Sequence, residues 1–102
     1  MSGRRAAKVD ANQHEIVAAL RAVGCSVQSI ATVGHGCPDL LVGLRGMNWL
    51  MEVKDGRKPP SQRKLTPMEA AWAARWRGLV HVVECVDDAL AIVQPRGLRV
   101  VE

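Results

Sequence analysis

Two apolar runs of strand length, residues 39–44 (DLLVGL) and 49–54 (WLMEVK), are separated by only Arg45-Gly46-Met47-Asn48. A link this short joins antiparallel neighbours, because a parallel return needs a crossover of a dozen residues or more. The runs therefore predict a hairpin at the centre of the chain. Each run also carries charge. Asp39 stands at the entry of the first run, directly after Cys37-Pro38, and Glu52-Val53-Lys54 closes the second. Residues i and i+2 of a strand share a face, so Glu52 and Lys54 project together. Once the runs pair, Asp39 can reach them.

The rest of the chain supplies helices and three further strands. Asp10 or Asn12 is a candidate cap for a helix bearing Ile16, Val17, Leu20 and Val23 at helical spacing, with Gly24 as its C-terminal stop. Residues 25–33 (CSVQSIATV) alternate in part and predict a strand, and residues 34–38 form an irregular link. Residues 55–64 (DGRKPPSQRK) have no apolar side chain except their prolines and predict a surface loop. Thr66-Pro67-Met68-Glu69 has the form of a capping box with proline in the first turn, opening a helix through Trp76 that Gly78 ends. Residues 80–85 predict a strand, residues 87–93 a short helix capped by Asp87, and residues 98–101 a final strand. The order is α-β-β-β-α-β-α, with the strand at residues 98–101 as a last β. It predicts one α/β domain over residues 10–102, a central sheet flanked by helices, preceded by a basic arm over residues 1–9 with Arg4, Arg5 and Lys8.

Composition narrows the function classes. The 102 residues carry a formal charge of +4, and five cations against one carboxylate fall within residues 54–64. Taken alone, such a run reads as a solvated loop; beside a metal site it favours a phosphate-bearing partner, with Arg57, Lys58, Arg63 and Lys64 as candidate phosphate contacts. There is no long apolar run for a membrane span, no signal peptide, and three cysteines without paired spacing. These features predict an intracellular, cytoplasmic, soluble chain with reduced thiols. His35, Cys37, His81 and Cys85 lack the CxxC knuckle of a structural zinc site. P-loop and dinucleotide fingerprints are absent. Trp72 and Trp76, spaced i and i+4, predict one side of the core or a dimer surface, with base stacking the lesser alternative.

A carboxylate within an apolar strand costs free energy unless paired or metal-bound. Taken alone, Glu-x-Lys reads as an ordinary ion pair. The combination is more specific: Gly36-Cys37-Pro38-Asp39-Leu40-Leu41-Val42-Gly43, then Trp49-Leu50-Met51-Glu52-Val53-Lys54, then Leu65-Thr66-Pro67-Met68-Glu69-Ala70-Ala71-Trp72. This series resembles the PD-(D/E)xK nuclease superfamily, and most of all its small stand-alone VRR-type branch, often found in phages. The resemblance implies a restriction-endonuclease-like fold with a mixed sheet, in a host-cell phage protein. It implies a magnesium- or manganese-dependent deoxyribonuclease in which Asp39, Glu52 and the Val53 carbonyl hold the ion. Lys54 would orient water or stabilise charge on the phosphate, and Glu15 would add a further acid. It also implies DNA as partner, with structure-selective cutting of branched, flapped or Holliday-junction substrates by a homodimer. The chain departs from the family in one place, since Glu69 stands where related sequences commonly have Gln. Two other readings compete: a DNA-binding module without turnover, and an assembly protein in which Glu52 and Lys54 are only an ion pair.

Overall fold

A computed structural model describes residues 9–94. The expected basic arm and the expected last strand at residues 98–101 lie outside the described residues. The elements run α1 (Gln13–Ala22), β1 (Ser26–Ser29), β2 (Leu40–Leu44), β3 (Met47–Val53), α2 (Pro67–Arg75), β4 (Val80–Val83) and α3 (Val86–Val93). Short 3-10 turns occupy Ala31–Val33 and Pro60–Gln62.

The four strands form one sheet in the order β1-β2-β3-β4. The first three pair antiparallel, while β4 returns through α2 to lie parallel to β3. The sheet is therefore mixed, as the resemblance implies. The hairpin is tighter than the sequence suggests. Asn48 and Met47 are already in β3, and the turn consists of Arg45 and Gly46 at φ +51° and +81°. Two successive left-handed residues make the turn whose twist matches paired strands. Arg45 is an unusual residue there. Its guanidinium donates to the Val93 carbonyl at 2.7 Å, tying the hairpin tip to the C-terminal end of α3.

The register sorts the two faces. Leu40 and Val42 stand opposite Met51 and Trp49, and Val53 stands opposite Val83. These residues point to one face, where Ile16 and Leu20 of α1 and Ala89 and Val93 of α3 complete the aliphatic core. α1 and α3 pack against each other over this face. Gly24 ends α1 as expected. At φ +100° its N–H donates to Arg21 O, and Cys25 N donates to Leu20 O, each at 3.0 Å. That pair of bonds is a Schellman motif, and the buried Cys25 and Leu20 close it with an apolar contact.

β1 is shorter than the sequence predicts. The strand ends at Ser29, although Ile30 still donates its N–H to Asp39 O at 2.8 Å, and the following residues turn into the 3-10 segment. Neither Asn12 nor Asp87 acts as a side-chain cap. Asn12 has a different task, described below, and Cys85 occupies the position before α3. α2 opens as its sequence dictates: Thr66 Oγ accepts from Glu69 N, and Glu69 Oε1 accepts from Thr66 N. It approaches the second sheet face, and none of its side chains is fully buried.

Candidate active site

Asp39, Glu52 and Lys54 meet at the end of the β2–β3 pair. Glu52 and Lys54 are buried, at 4% and 8% exposure, on the face opposite Met51 and Val53. One oxygen of Asp39 accepts the Val53 N–H at 2.8 Å. Continuing the register past Leu40–Met51 would set Pro38 opposite Val53, and proline has no N–H to give to the Val53 carbonyl, while the Val53 N–H is taken by the Asp39 carboxylate. Pro38 therefore has a specific local effect. It lies before the start of β2 and leaves the Val53 carbonyl without a ladder donor from that position. The Val53 carbonyl, which shares an edge with its own N–H in a strand, faces the same way.

The preceding loop is clamped against α2. Gly36 has φ +88°, and a Cβ there would collide with the Met68 carbonyl. Only glycine allows this approach, which sets the Asp39 segment beside the first turn of α2. That turn delivers Glu69. Its Oε1 accepts from both Lys54 Nζ and Thr66 N, each at 2.8 Å. Lys54 also lies 3.8 Å from Glu52. Glu69 thus performs the cap reading and the site-facing reading of its position at once.

Three carboxyls around one ammonium leave an excess of negative charge in a largely dry place. Burial, followed by the neighbouring charges of Asp39 and Glu69, pushes the Glu52 carboxyl up to about 9. Burial likewise raises Asp39, against the Val53 hydrogen bond that lowers it. Glu69 goes the other way. Burial would raise it, but hydrogen bonds from Lys54 and Thr66 outweigh this and hold it below the usual carboxylate range. Lys54 is raised because its acidic partners outweigh its desolvation. Opposed shifts within one cluster are a signature of groups arranged for chemistry, although structural ion pairs produce them too.

A hard divalent cation would relieve the excess charge. Asp39, Glu52 and the Val53 carbonyl offer oxygen donors from two sides, the chemistry such ions prefer. Among the described residues no cluster of three or more His, Cys, Asp or Glu forms a ready-made cage. Two carboxylates with water and substrate oxygens completing the shell is the usual arrangement for magnesium. The donor set fits.

Glu15 is placed elsewhere. It lines a 440 Å³ recess with Arg57, Glu84 and Asp88, between the first turns of α1 and α3. The acid from this end of the chain that acts on Asp39 and Lys54 is Asp10, which also pairs with Lys58 at 3.3 Å. No spacing in the sequence separates Asp10 from an ordinary helix-leading aspartate. Asn12 is a second unanticipated residue. It is 2% exposed, and its amide donates to Lys54 O and Glu84 O, each at 3.1 Å. It therefore ties the ends of β3 and β4 together directly behind Lys54.

The basic loop is partly neutralised from within. Arg57 grips Asp55 with two 3.0 Å bonds, which hold that carboxyl down to about 2. Arg63 pairs with Glu84 at 3.1 Å, and Lys58 with Asp10. Of the four loop cations, Lys64 alone has no ion pair among the described residues.

No protein-family profile and no curated protein matches the chain. A solved structure described as a VRR_NUC domain does. It shares 26% identity with a TM-score of 0.59, over 82% of this chain and 96% of that one. The chain has a VRR_NUC nuclease-like fold. The VRR_NUC likeness spans nearly the whole of the matched structure and supports a nuclease-type domain. Among the described residues of this VRR_NUC-like chain, no helix is long and apolar enough to cross a membrane.

Proposed function

We propose that the chain is a magnesium- or manganese-dependent endonuclease that hydrolyses DNA phosphodiesters. The observation that carries this reading is the meeting of Asp39, Glu52 and Lys54, with Asp39 anchored on the Val53 amide between the two carboxyl-bearing segments. Asp39, Glu52 and the Val53 carbonyl would hold the ion. When bound, it would supply Lewis-acid activation of the phosphodiester and a lowered pKa for attacking water.

The chain's own residues do the rest. Burial keeps Lys54 out of bulk water, so its charge is less screened at a phosphate than an exposed ammonium would be. Lys54 presents an ammonium where negative charge develops on the phosphoryl oxygens, and stabilises it electrostatically. Glu69 and the Asn12 bond to the Lys54 carbonyl restrict the lysine from both ends. Lys64 contributes to holding the backbone of the substrate, a contact that positions without reading bases. Structure-selective cutting of flapped, branched or four-way DNA, by a homodimer with two such sites, is the finer form of this proposal.

The test is incubation with labelled linear, flapped and four-way DNA, with and without magnesium or manganese. Metal-dependent scission by the wild type, abolished by Asp39→Ala and by Lys54→Ala, supports the proposal. DNA binding without scission under either metal would instead identify a binding module, for which the hold of Glu69 on Lys54 would be the physical reason.

A further inference from the structure

We propose that the C-terminal end of α2 is a stacking platform for an unpaired nucleobase of the DNA substrate, with Trp76 as its face and Arg75 and Arg77 as its phosphate contacts. This rests on the nuclease reading and gives it a substrate feature. The indoles of Trp72 and Trp76 stack with centroids 4.7 Å apart and planes 18° from parallel. Trp72 is half-buried, but Trp76 remains 48% exposed. One indole therefore backs the other, and the outer ring is held flat toward solvent. Gly78 preserves this pose, because a Cβ there would come within 3.0 Å of Trp76 Nε1. A rigid, exposed indole loses little entropy when a base lies on it, and every base offers a π-face.

The charge around the ring selects the partner. Arg75 and Arg77 flank Trp76, are exposed, and have no ion pair or hydrogen bond among the described residues. In the loop before α2, by contrast, Arg57, Lys58 and Arg63 are already matched to carboxylates. Unmatched guanidinium groups beside an aromatic face suit a phosphate-linked base. They oppose self-association through the same patch, since a two-fold contact at Trp76 would bring four unmatched arginines together. Position supports the assignment too. Glu69 at the other end of α2 touches Lys54, and seven residues of helix separate Trp76 from it by about 10 Å. That is about three nucleotide steps along a strand. A base of a single-stranded flap or an unpaired junction base would reach the ring while a phosphate about three steps along the same strand occupies the site.

The experiment measures equilibrium binding of the full chain, in chelator so that no cutting occurs, to a fluorescent duplex with and without a single-stranded flap. Wild type is compared with Trp76→Ala, Trp76→Leu and Trp76→Phe, and each is also sedimented without DNA. Trp76→Ala and Trp76→Leu are expected to lose about five- to 150-fold in affinity for the flapped DNA. Trp76→Phe should retain most of it, and duplex binding should be unchanged throughout. Equal losses on both DNAs, a Leu variant that binds like wild type, or a change in oligomer mass at Trp76 would overturn the platform. Metal-dependent scission and its loss in Asp39→Ala are read separately. An active enzyme indifferent to Trp76 defeats this inference alone, and an inactive chain with Trp76-dependent flap binding defeats only the nuclease reading.

Discussion

Replacing Glu52 by Gln should make the metal-free protein more stable at alkaline pH, although it removes a residue at the centre of the site. The carboxyl ionises near 9 in the folded chain, against 4.5 for an exposed glutamate. Between these values the native state holds a proton that the unfolded state has released, so stability falls as pH rises. The limiting slope for one proton is about 1.4 kcal/mol per pH unit. The cluster opens to water at the half-buried Asp39 and Glu69, which screens it, so the loss between about pH 6 and about pH 8 should be about 1–2 kcal/mol. Lys54 is raised and Glu69 lowered, so both stay ionised throughout that window and add no slope. Asp39 is raised and acts in the same direction as Glu52. The amide variant has no proton to lose at position 52, and Asp39 remains in its residual slope. Urea unfolding in chelator at a series of pH values measures this directly. Wild-type midpoints should fall with pH, while those of Glu52→Gln stay nearly level and lie above wild type at the alkaline end. Manganese should then restore wild-type stability most strongly at high pH, and the variant's far less. Parallel midpoints for the two proteins across the series would refute the claim that Glu52 is buried against like charge.

Other residues give separable outcomes. Asn12→Ala removes two buried hydrogen bonds behind Lys54 and should cost about 2–3 kcal/mol in urea unfolding, with a drop in scission beyond what the stability loss explains. Glu69→Ala loses the cap and the hold on Lys54, costing about 1 kcal/mol of stability, whereas Glu69→Gln keeps an acceptor at the cap and should unfold close to wild type. If scission also returns in the Gln variant but not the Ala variant, Glu69 acts on Lys54 by hydrogen bonding rather than by charge. Gly36→Ala forces a Cβ onto the Met68 carbonyl at a left-handed position and should destabilise by about 2 kcal/mol or more. Because the displaced loop carries Asp39, scission should fall further than the unfolding midpoint suggests.

What could be read from the chain alone is what depends on near neighbours in it. The capping box at Thr66 and Glu69, the Gly24 stop and the central hairpin each involve residues within about five positions, whose geometry follows from residue type. The i, i+2 spacing put Glu52 and Lys54 on one face, and the observed register sets Leu40, Val42, Met51 and Val53 on the other as core. Contacts spanning the fold were decided only in three dimensions. Asn12 reads as a helix cap in sequence, yet it bridges two strand ends 42 and 72 residues away. Lys58 and Arg63 read as free cations, but the close approach of Asp10 and Glu84 matches their charge, while Arg75 and Arg77, without an ion pair among the described residues, lie beside Trp76. Periodicity reports which face a side chain takes. It carries no information on which distant group arrives there, because that depends on how the helices settle on the sheet.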